Sequence, residues 1–484
     1  MVKISSRIAG LAMLTFALGA CENQFDAINS NPNNPEDAPA SFVLTNAERQ
    51  NTYRLFDIPA NMDGGLLIIQ HWAKVQYTNE DRYAFRTGSY QSIWDGFYGQ
   101  GLQDFQYIID QGKATNNPNY QAVGLVLRSY FFSVLTDLYG DIPYSQALSL
   151  KSGILQPKYD AQQDVYRGLL SDLKLAATLA DANGPAVDGD IIYGGDMAQW
   201  KRFANSLRLR LAMRVSDADD ALARTNVTEA LAGGEVMMGN EDIAQFQFLG
   251  GSPNNSPVNE NFKTRDDHRI SRTIVNTMLR LNDPRIAVYA NHPECGDSAA
   301  IYKGMPNGFN NANAAAYGAF CSTSKVGAAF RETGEAPGVL MTYAETMFLQ
   351  AEAVKRGYIG GSAAQFYDAA ITASLNQYGV GDQAAAYLAQ PGVAFDDANW
   401  KMSIGNQKWL ALFGQGVEAW SEWRRLDYPV LPLAKQPVAA AAGAIPVRFI
   451  YPANEQSVNQ ANYEAAVARQ GADKLTTKLW WDRN

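Results

Sequence analysis

Several things are scarce in this chain of 484 residues, and each scarcity removes a class of function. Cysteine occurs three times and histidine three times, at His71, His268 and His292. There is no Cys-x-x-Cys, and His292 stands alone near the two later cysteines, so no zinc set is expected. No metal or other cofactor is expected either. P-loop, Gly-x-Ser-x-Gly, His-Glu-x-x-His and EF-hand patterns are all missing, and no catalytic residue is assigned. A pair of catalytic carboxylates needs spacing rather than a motif, so a glycosidase remains an alternative. Basic charge is short too: the net charge is −9, which argues against nucleic acid as a partner. Beyond the N-terminus no apolar run approaches the length of a membrane-spanning helix.

What is present begins at the N-terminus, MVKISSRIAGLAMLTFALGAC. Lys3 and Arg7 precede an uncharged stretch, residues 8–20, of signal-peptide length. Leu18-Gly19-Ala20-Cys21 resembles a bacterial lipobox, which implies cleavage after residue 20 and a diacylglycerol on Cys21. An ordinary secretory signal, with Cys21 incidental, is the alternative. Residues 1–20 thus read as a lipoprotein signal peptide. Residues 21–41 are rich in Asn, Pro and Asp and lack periodicity, as expected of a flexible tether. From residue 42 to 484 no second linker of this kind occurs, so one domain is expected. Export also makes Cys295 and Cys321 expected partners in a disulfide. It would close a loop of roughly 27 residues, worth roughly 3–4 kcal/mol in the chain-entropy model.

The pattern is mainly α-helical. In residues 197–215, Trp200, Phe203, Ala204, Leu207, Leu211 and Val215 follow the 3, 4 spacing of one helix face. Arg202, Arg208, Arg210 and Arg214 read as an exposed fringe, and Asp196 sits where it can act on the helix N-terminus. Residues 120–139 have the same apolar density and stop at Gly140. Further helices are expected over 164–180, 340–356, 363–378 and 405–425. Little β structure is expected, residues 243–249 offering the best alternation. Between about 250 and 339 the composition turns to Gly, Asn and Pro with interspersed aromatics, crossed by one helix over 271–281. A long irregular insertion of this kind is more often functional than accidental.

The ordered set of segments resembles the SusD/RagB family of Bacteroidetes outer-membrane lipoproteins. It comprises the lipobox and tether, QHWAKVQYTNEDRY, SVLTDLYGDIPYSQAL, WKRFANSLRLRLAMR, MTYAETMFLQAEAVKRGY, EAWSEWRRLDYPVL and RFIYPANEQSVN. The resemblance implies a tetratricopeptide-like scaffold of helix pairs with long loop insertions, although no clean 34-residue repeat is visible. It also implies a non-enzymatic surface protein, anchored in the outer membrane and facing the cell exterior. Such a protein captures oligosaccharides and delivers them to a SusC-like TonB-dependent β-barrel transporter. Peptide capture by the same apparatus, or a helical-repeat scaffold without a small ligand, are the alternatives. Only Glu22 and Asp26 lie close after Cys21, so an acidic export run is not evident.

A sugar site needs aromatic faces for the pyranose ring and planar polar groups for its hydroxyls. Two zones supply both. One holds Tyr77, Asn79, Asp81, Arg82 and Tyr83; the other holds Arg265, Asp266, Tyr302, Phe309, Tyr317 and Phe320. The resemblance points to loops in the same two zones. Trp409, Trp420 and Trp423 read as core, Arg424 and Arg425 as groups satisfying carbonyls and carboxylates at a helix end. Asp217, Asp219 and Asp220 read as a solvated helix junction.

Overall fold

A computed structural model describes residues 38–149, 152–295, 301–441 and 443–483. The signal peptide, Cys21 and nearly all of the expected tether lie outside the described residues.

The longer helices are α1 (Ala40–Phe56), α2 (Thr87–Gly96), α3 (Gln103–Ala114), α4 (Pro118–Tyr139), α5 (Gln162–Leu179), α6 (Met197–Arg214) and α7 (Asp220–Leu231). After them come α8 (Arg272–Arg280), α9 (Tyr343–Lys355), α10 (Ala363–Gln377), α11 (Trp400–Ala411), α12 (Gly416–Leu426) and α13 (Gln460–Gln470). Helices α3 to α7 pack each on the next, and α9 packs on α10 and α11. The short connection between α3 and α4 forces those two to run antiparallel. This is the helix-pair scaffold expected from the sequence. Helix α4 is long and apolar enough to cross a membrane by composition, but 94% of its most apolar window is buried in protein. It is the central core helix.

Local chemistry fixes the helix ends. Asn117 Oδ1 accepts from the N–H groups of Asn119 and Tyr120 to start α4, with Pro118 at its first turn. Gly140, at φ 90°, stops that helix. Asp196 caps α6 in the same way through Ala198 and Gln199. The stretch expected as one helix over 340–356 is divided: Gly338–Met341 forms a strand, and Thr342 caps α9 by accepting from Glu345 N. The stretch 405–425 is likewise two helices, because Gly414 turns the chain at φ 86° between α11 and α12. The turn brings the start of α12 against a π-helical segment, Ile58–Gly65. Contact there is so close that a Cβ on Gly65 would lie 2.3 Å from the Gly416 carbonyl carbon.

One expectation fails clearly. Arg208, Arg210 and Arg214 are not an exposed fringe but are buried, and only Arg202 keeps a partly exposed side chain. Arg210 Nε meets Glu345 of α9 at 2.7 Å, and Arg214 Nη2 meets Glu418 of α12 at 2.5 Å. Lys408 of α11 reaches Glu422 at 2.8 Å, and Arg425 forks onto Glu352. An ionic spine therefore joins α6, α9, α11 and α12. Burial pushes Glu418 up to about 7 despite Arg210 and Arg214. Burial opposes ionisation of Glu422 as well, yet Arg425, Lys408 and Arg214 hold it well below the usual carboxylate range. Arg424 donates to the carbonyls of Asp137 and Val447, in the structural role expected of it. Trp409 and Trp420 are core, while Trp423 is half-buried. Asp217 pairs with Arg356, and Asp219 caps α7.

Strands among the described residues form three two-stranded antiparallel pairs. They are β1 (Trp72–Lys74) with β5 (His268–Ile270), β2 (Ile142–Pro143) with β3 (Tyr159–Asp160), and β4 (Ala244–Phe246) with β6 (Gly338–Met341). The first pair positions the candidate site.

Candidate functional site

Pairing of β1 with β5 sets Trp72 opposite Ile270, Ala73 opposite Arg269 and Lys74 opposite His268. In an antiparallel pair, residues following one strand face those preceding the other. Val75 N accordingly donates to Asp267 O at 2.8 Å. Two residues further along, the Arg265 guanidinium lies over the Tyr77 ring, 5.3 Å from its centroid. The two sequence zones, almost 200 residues apart, thus meet at one surface. Tyr77 is 53% exposed, and Arg265 and Asn79 are exposed beside it.

A clasp below this surface holds the loops together. Asp81 is buried and accepts from Lys74 N at 3.2 Å, Asn307 Nδ2 at 2.7 Å and Gly308 N at 2.8 Å. Burial pushes its carboxyl up to about 6, against the lowering effect of those donors. Thr78 N and Oγ1 both donate to Asn311 Oδ1 at 3.2 Å, a second tie between the same loops. Tyr83 is buried at φ 68°, and its hydroxyl accepts from Ala434 N at 3.2 Å. Arg82 Nε donates to Gln436 O at 2.8 Å. Asp81, Arg82 and Tyr83, expected at the ligand face, are therefore engaged in building the loop that presents Tyr77. Burial wins because a short loop with two left-handed residues, Tyr77 and Tyr83, must turn back into the protein.

The insertion residues divide similarly. Phe309 and Tyr317 pack on Ala73, Val75, Met305 and Ala314, half-buried beneath the surface, with Lys303 Nζ over the Tyr317 ring at 5.0 Å. Tyr302 stacks on exposed His292 with centroids 4.1 Å apart. Phe320 is 46% exposed and lies by the Arg269 guanidinium. Asp266 pairs with Arg269 at 2.9 Å and approaches Lys325 at 3.6 Å, holding the loop rather than standing free. Cys295 and Cys321 are bonded, with Cα atoms 5.3 Å apart, next to Phe320 in the chain.

Sequence reasoning missed a polar recess of about 70 Å³ lined by Asp63, Lys74, Arg86, Asn261, Asp267 and His268, with Arg265 on its wall. Asp63 accepts from Lys74 Nζ at 2.9 Å and faces His268 Nε2 at 2.8 Å. Burial opposes its ionisation, but His268 and Lys74 hold the carboxyl at about 2. Asn261 Nδ2 has no hydrogen-bond partner in the protein, and Asp267 Oδ1 and His268 Nδ1 have none either, although they face each other at 3.8 Å. Buried polar atoms are usually satisfied, so these atoms are unmet hydrogen-bonding capacity beside the Tyr77 surface. The separate histidine and carboxylates gave no motif, because they meet only when β1–β5 pairing sets Lys74 opposite His268 and the segments Ile58–Gly65 and Pro257–Phe262 pack alongside. Among the described residues no group of three or more His, Cys, Asp or Glu is arranged to hold a metal ion.

With this geometry in view, the relationships of the chain are informative. A SusD-like family described as starch-binding, associating with the outer membrane, matches residues 32–452. The chain belongs to this family. Among solved structures, a chitin-binding protein is similar at 28% identity and TM-score 0.81, over 92% of this chain and 100% of that one. A chitin-binding SusD homologue from Flavobacterium johnsoniae matches at 28% identity and TM-score 0.80, over 92% and 98%. A SusD homologue from Bacteroides fragilis matches at 27% identity and TM-score 0.77, over 93% and 100%. No curated protein sequence matches the chain.

Proposed function

We propose that this protein is a non-enzymatic capture protein for oligosaccharides at the outer membrane. The observation that carries the reading is the exposed Tyr77 ring with the Arg265 guanidinium against it, beside a recess of unpaired polar atoms. An aromatic face takes the apolar side of a pyranose, and the guanidinium and recess atoms take its hydroxyls. Family membership and two chitin-binding relatives support an oligosaccharide of N-acetylated sugars as the first ligand to try. In this reading Cys21 carries the lipid anchor, the domain faces the exterior, and a SusC-like TonB-dependent transporter receives the ligand. Residues 42–484 act as one domain, with 250–339 supplying the insertion half of the site.

The test is calorimetric titration of the protein with chitooligosaccharides, malto-oligosaccharides and short peptides. Saturable oligosaccharide binding with a dissociation constant of micromolar to millimolar, about −8 to −4 kcal/mol, is expected. Binding of peptides with no response to any oligosaccharide would overturn the ligand class. Mass spectrometry of the mature N-terminal peptide tests the anchor, since an unmodified Cys21 contradicts it.

A further inference from the structure

A second cavity, of about 250 Å³, lies where α1, β1, β4, β6 and the ends of α10 and α11 converge. Phe56, Trp72, Phe248, Phe330, Tyr378 and Phe413 supply its aromatic wall, smaller apolar residues such as Val258 and Val339 fill in between them, and the uncharged polar residues include Gln245, Ser256 and Gln377. It contains more room than the roughly 150 Å³ engineered apolar cavity that accepts benzene. No Asp, Glu, Lys, Arg or His lines it, so a charged ligand finds no counter-ion. The rim includes exposed Ala329 and Pro337, so the cavity opens to the surface.

Two polar atoms of the wall residues are unpaired. Trp72 is 1% exposed and its Nε1, a donor only, has no partner; Gln415 is 6% exposed and its Oε1, an acceptor, has none. Leaving such groups unsatisfied costs stability, and a hydroxyl satisfies both kinds, accepting from one and donating to the other. Asn61, also on the wall, by contrast has a partner at each polar atom: its Nδ2 donates to Gly414 O and its Oδ1 accepts from Gly416 N.

We propose that this cavity is a binding site for a small uncharged aromatic molecule bearing a hydroxyl, separate from the Tyr77 surface. Trp72 N–H donates to the hydroxyl oxygen, Gln415 Oε1 accepts its proton, and the ring packs among the phenylalanines. The site is distinct from the oligosaccharide reading, since no residue lines both this cavity and the polar recess, although both are built on β1 and on the segments Ile58–Gly65 and Pro257–Phe262.

The experiment titrates the full-length protein with 2-naphthol and with naphthalene, which lacks the hydroxyl. One saturable site for 2-naphthol is expected, with naphthalene about tenfold weaker. Gln415→Met should remove most of that preference. Val339→Phe, which fills the cavity, and Ala329→Trp, at its exposed mouth, should each weaken 2-naphthol about tenfold or more while oligosaccharide affinity is unchanged. Ala329→Trp touches only the rim, so it remains informative if Val339→Phe fails to fold. Absence of saturable 2-naphthol binding, or binding untouched by Ala329→Trp, overturns the proposal. Equal affinity for naphthalene overturns the hydroxyl-bearing class.

Discussion

Arg285 and Asp283 form a buried ion pair whose loss should be felt throughout the junction between the insertion and the scaffold. Both side chains are fully buried. Arg285 Nη2 meets Asp283 Oδ2 at 2.6 Å and Nε meets Oδ1 at 2.9 Å, a two-pronged contact. Arg285 Nη1 also donates to Ser374 of α10 at 2.8 Å, and the Tyr387 hydroxyl donates to Asp283 at 2.9 Å. Unlike the carboxylates of the ionic spine, Asp283 has a single cationic partner among the described residues. Arg285→Met therefore strands a buried carboxylate, and removal of one partner of such a pair costs about 3–5 kcal/mol. With unfolding entropy of roughly 2.1 cal/mol/K per residue, that amounts to about 3–5 °C in Tm for a chain of this size. Calorimetry on Arg285→Met, Asp283→Leu and the double variant measures it. The double variant should melt above Arg285→Met, because replacing both charges removes the stranded one. A melt of Arg285→Met within about 1 °C of the parent, or a double variant with the sum of the two single losses, would refute the reasoning.

Asp81→Asn should cost about 1–3 kcal/mol, because one of its two acceptor oxygens becomes an NH2 group that faces a donor already pointing at it, whether Asn307 Nδ2 or the Lys74 and Gly308 N–H groups. Oligosaccharide affinity should fall with it, although Tyr77 is untouched; unchanged unfolding and binding would contradict the clasp. His71 is buried with Nε2 at 2.9 Å from Trp409 O, and burial pushes its pKa down to about 3. The neutral ring's contribution is fully present above about 6.5 and is lost as pH falls towards about 3, because the unfolded chain takes up the proton first. Comparing urea midpoints of His71→Gln and parent at pH 6.5 and 5 should show the difference moving towards the variant by about 2 kcal/mol. The variant comparison matters because Asp81, raised to about 6, has the opposite sign: its protonation favours the folded state as pH falls through 6 towards 3.8. Gly65→Ala should destabilise by more than a simple glycine-to-alanine change, since its Cβ would meet the Gly416 backbone at 2.3 Å; a normal melt contradicts that close approach.

Much of the helical scaffold is legible in the sequence, because apolar spacing and caps are local signals. Residues 197–215 show this well: Asp196, the apolar face and the stop all fall within one residue of α6. The error over Arg208, Arg210 and Arg214 has a physical source. A periodic pattern assigns charges to solvent, whereas these guanidiniums meet glutamates of α7, α9 and α12 that only the tertiary fold delivers. The break at Gly414 was similarly hidden inside a run of apolar residues. At the site, residue types suited to sugars were recognisable, but which ones face solvent was not. Tyr77 and Tyr83 are six positions apart with similar neighbours, and one is 53% exposed while the other is 2% exposed. Asp63, Asn261 and His268 gave no signal, because their association depends on two short segments, Ile58–Gly65 and Pro257–Phe262, packing beside a pair of three-residue strands.

That contrast between two tyrosines supplies the most direct test of oligosaccharide capture at this surface. Affinity for the oligosaccharide that binds best should be measured for Tyr77→Ala alongside the circular dichroism and Tm of the variant. Loss of a stacking ring is expected to cost on the order of 1–3 kcal/mol, by analogy with base stacking, which is about a 5- to 150-fold weakening. The account predicts that weakening with an unchanged melt, whereas Tyr83→Ala should melt early. Parent-like affinity in Tyr77→Ala, or an early melt in that variant, would contradict it.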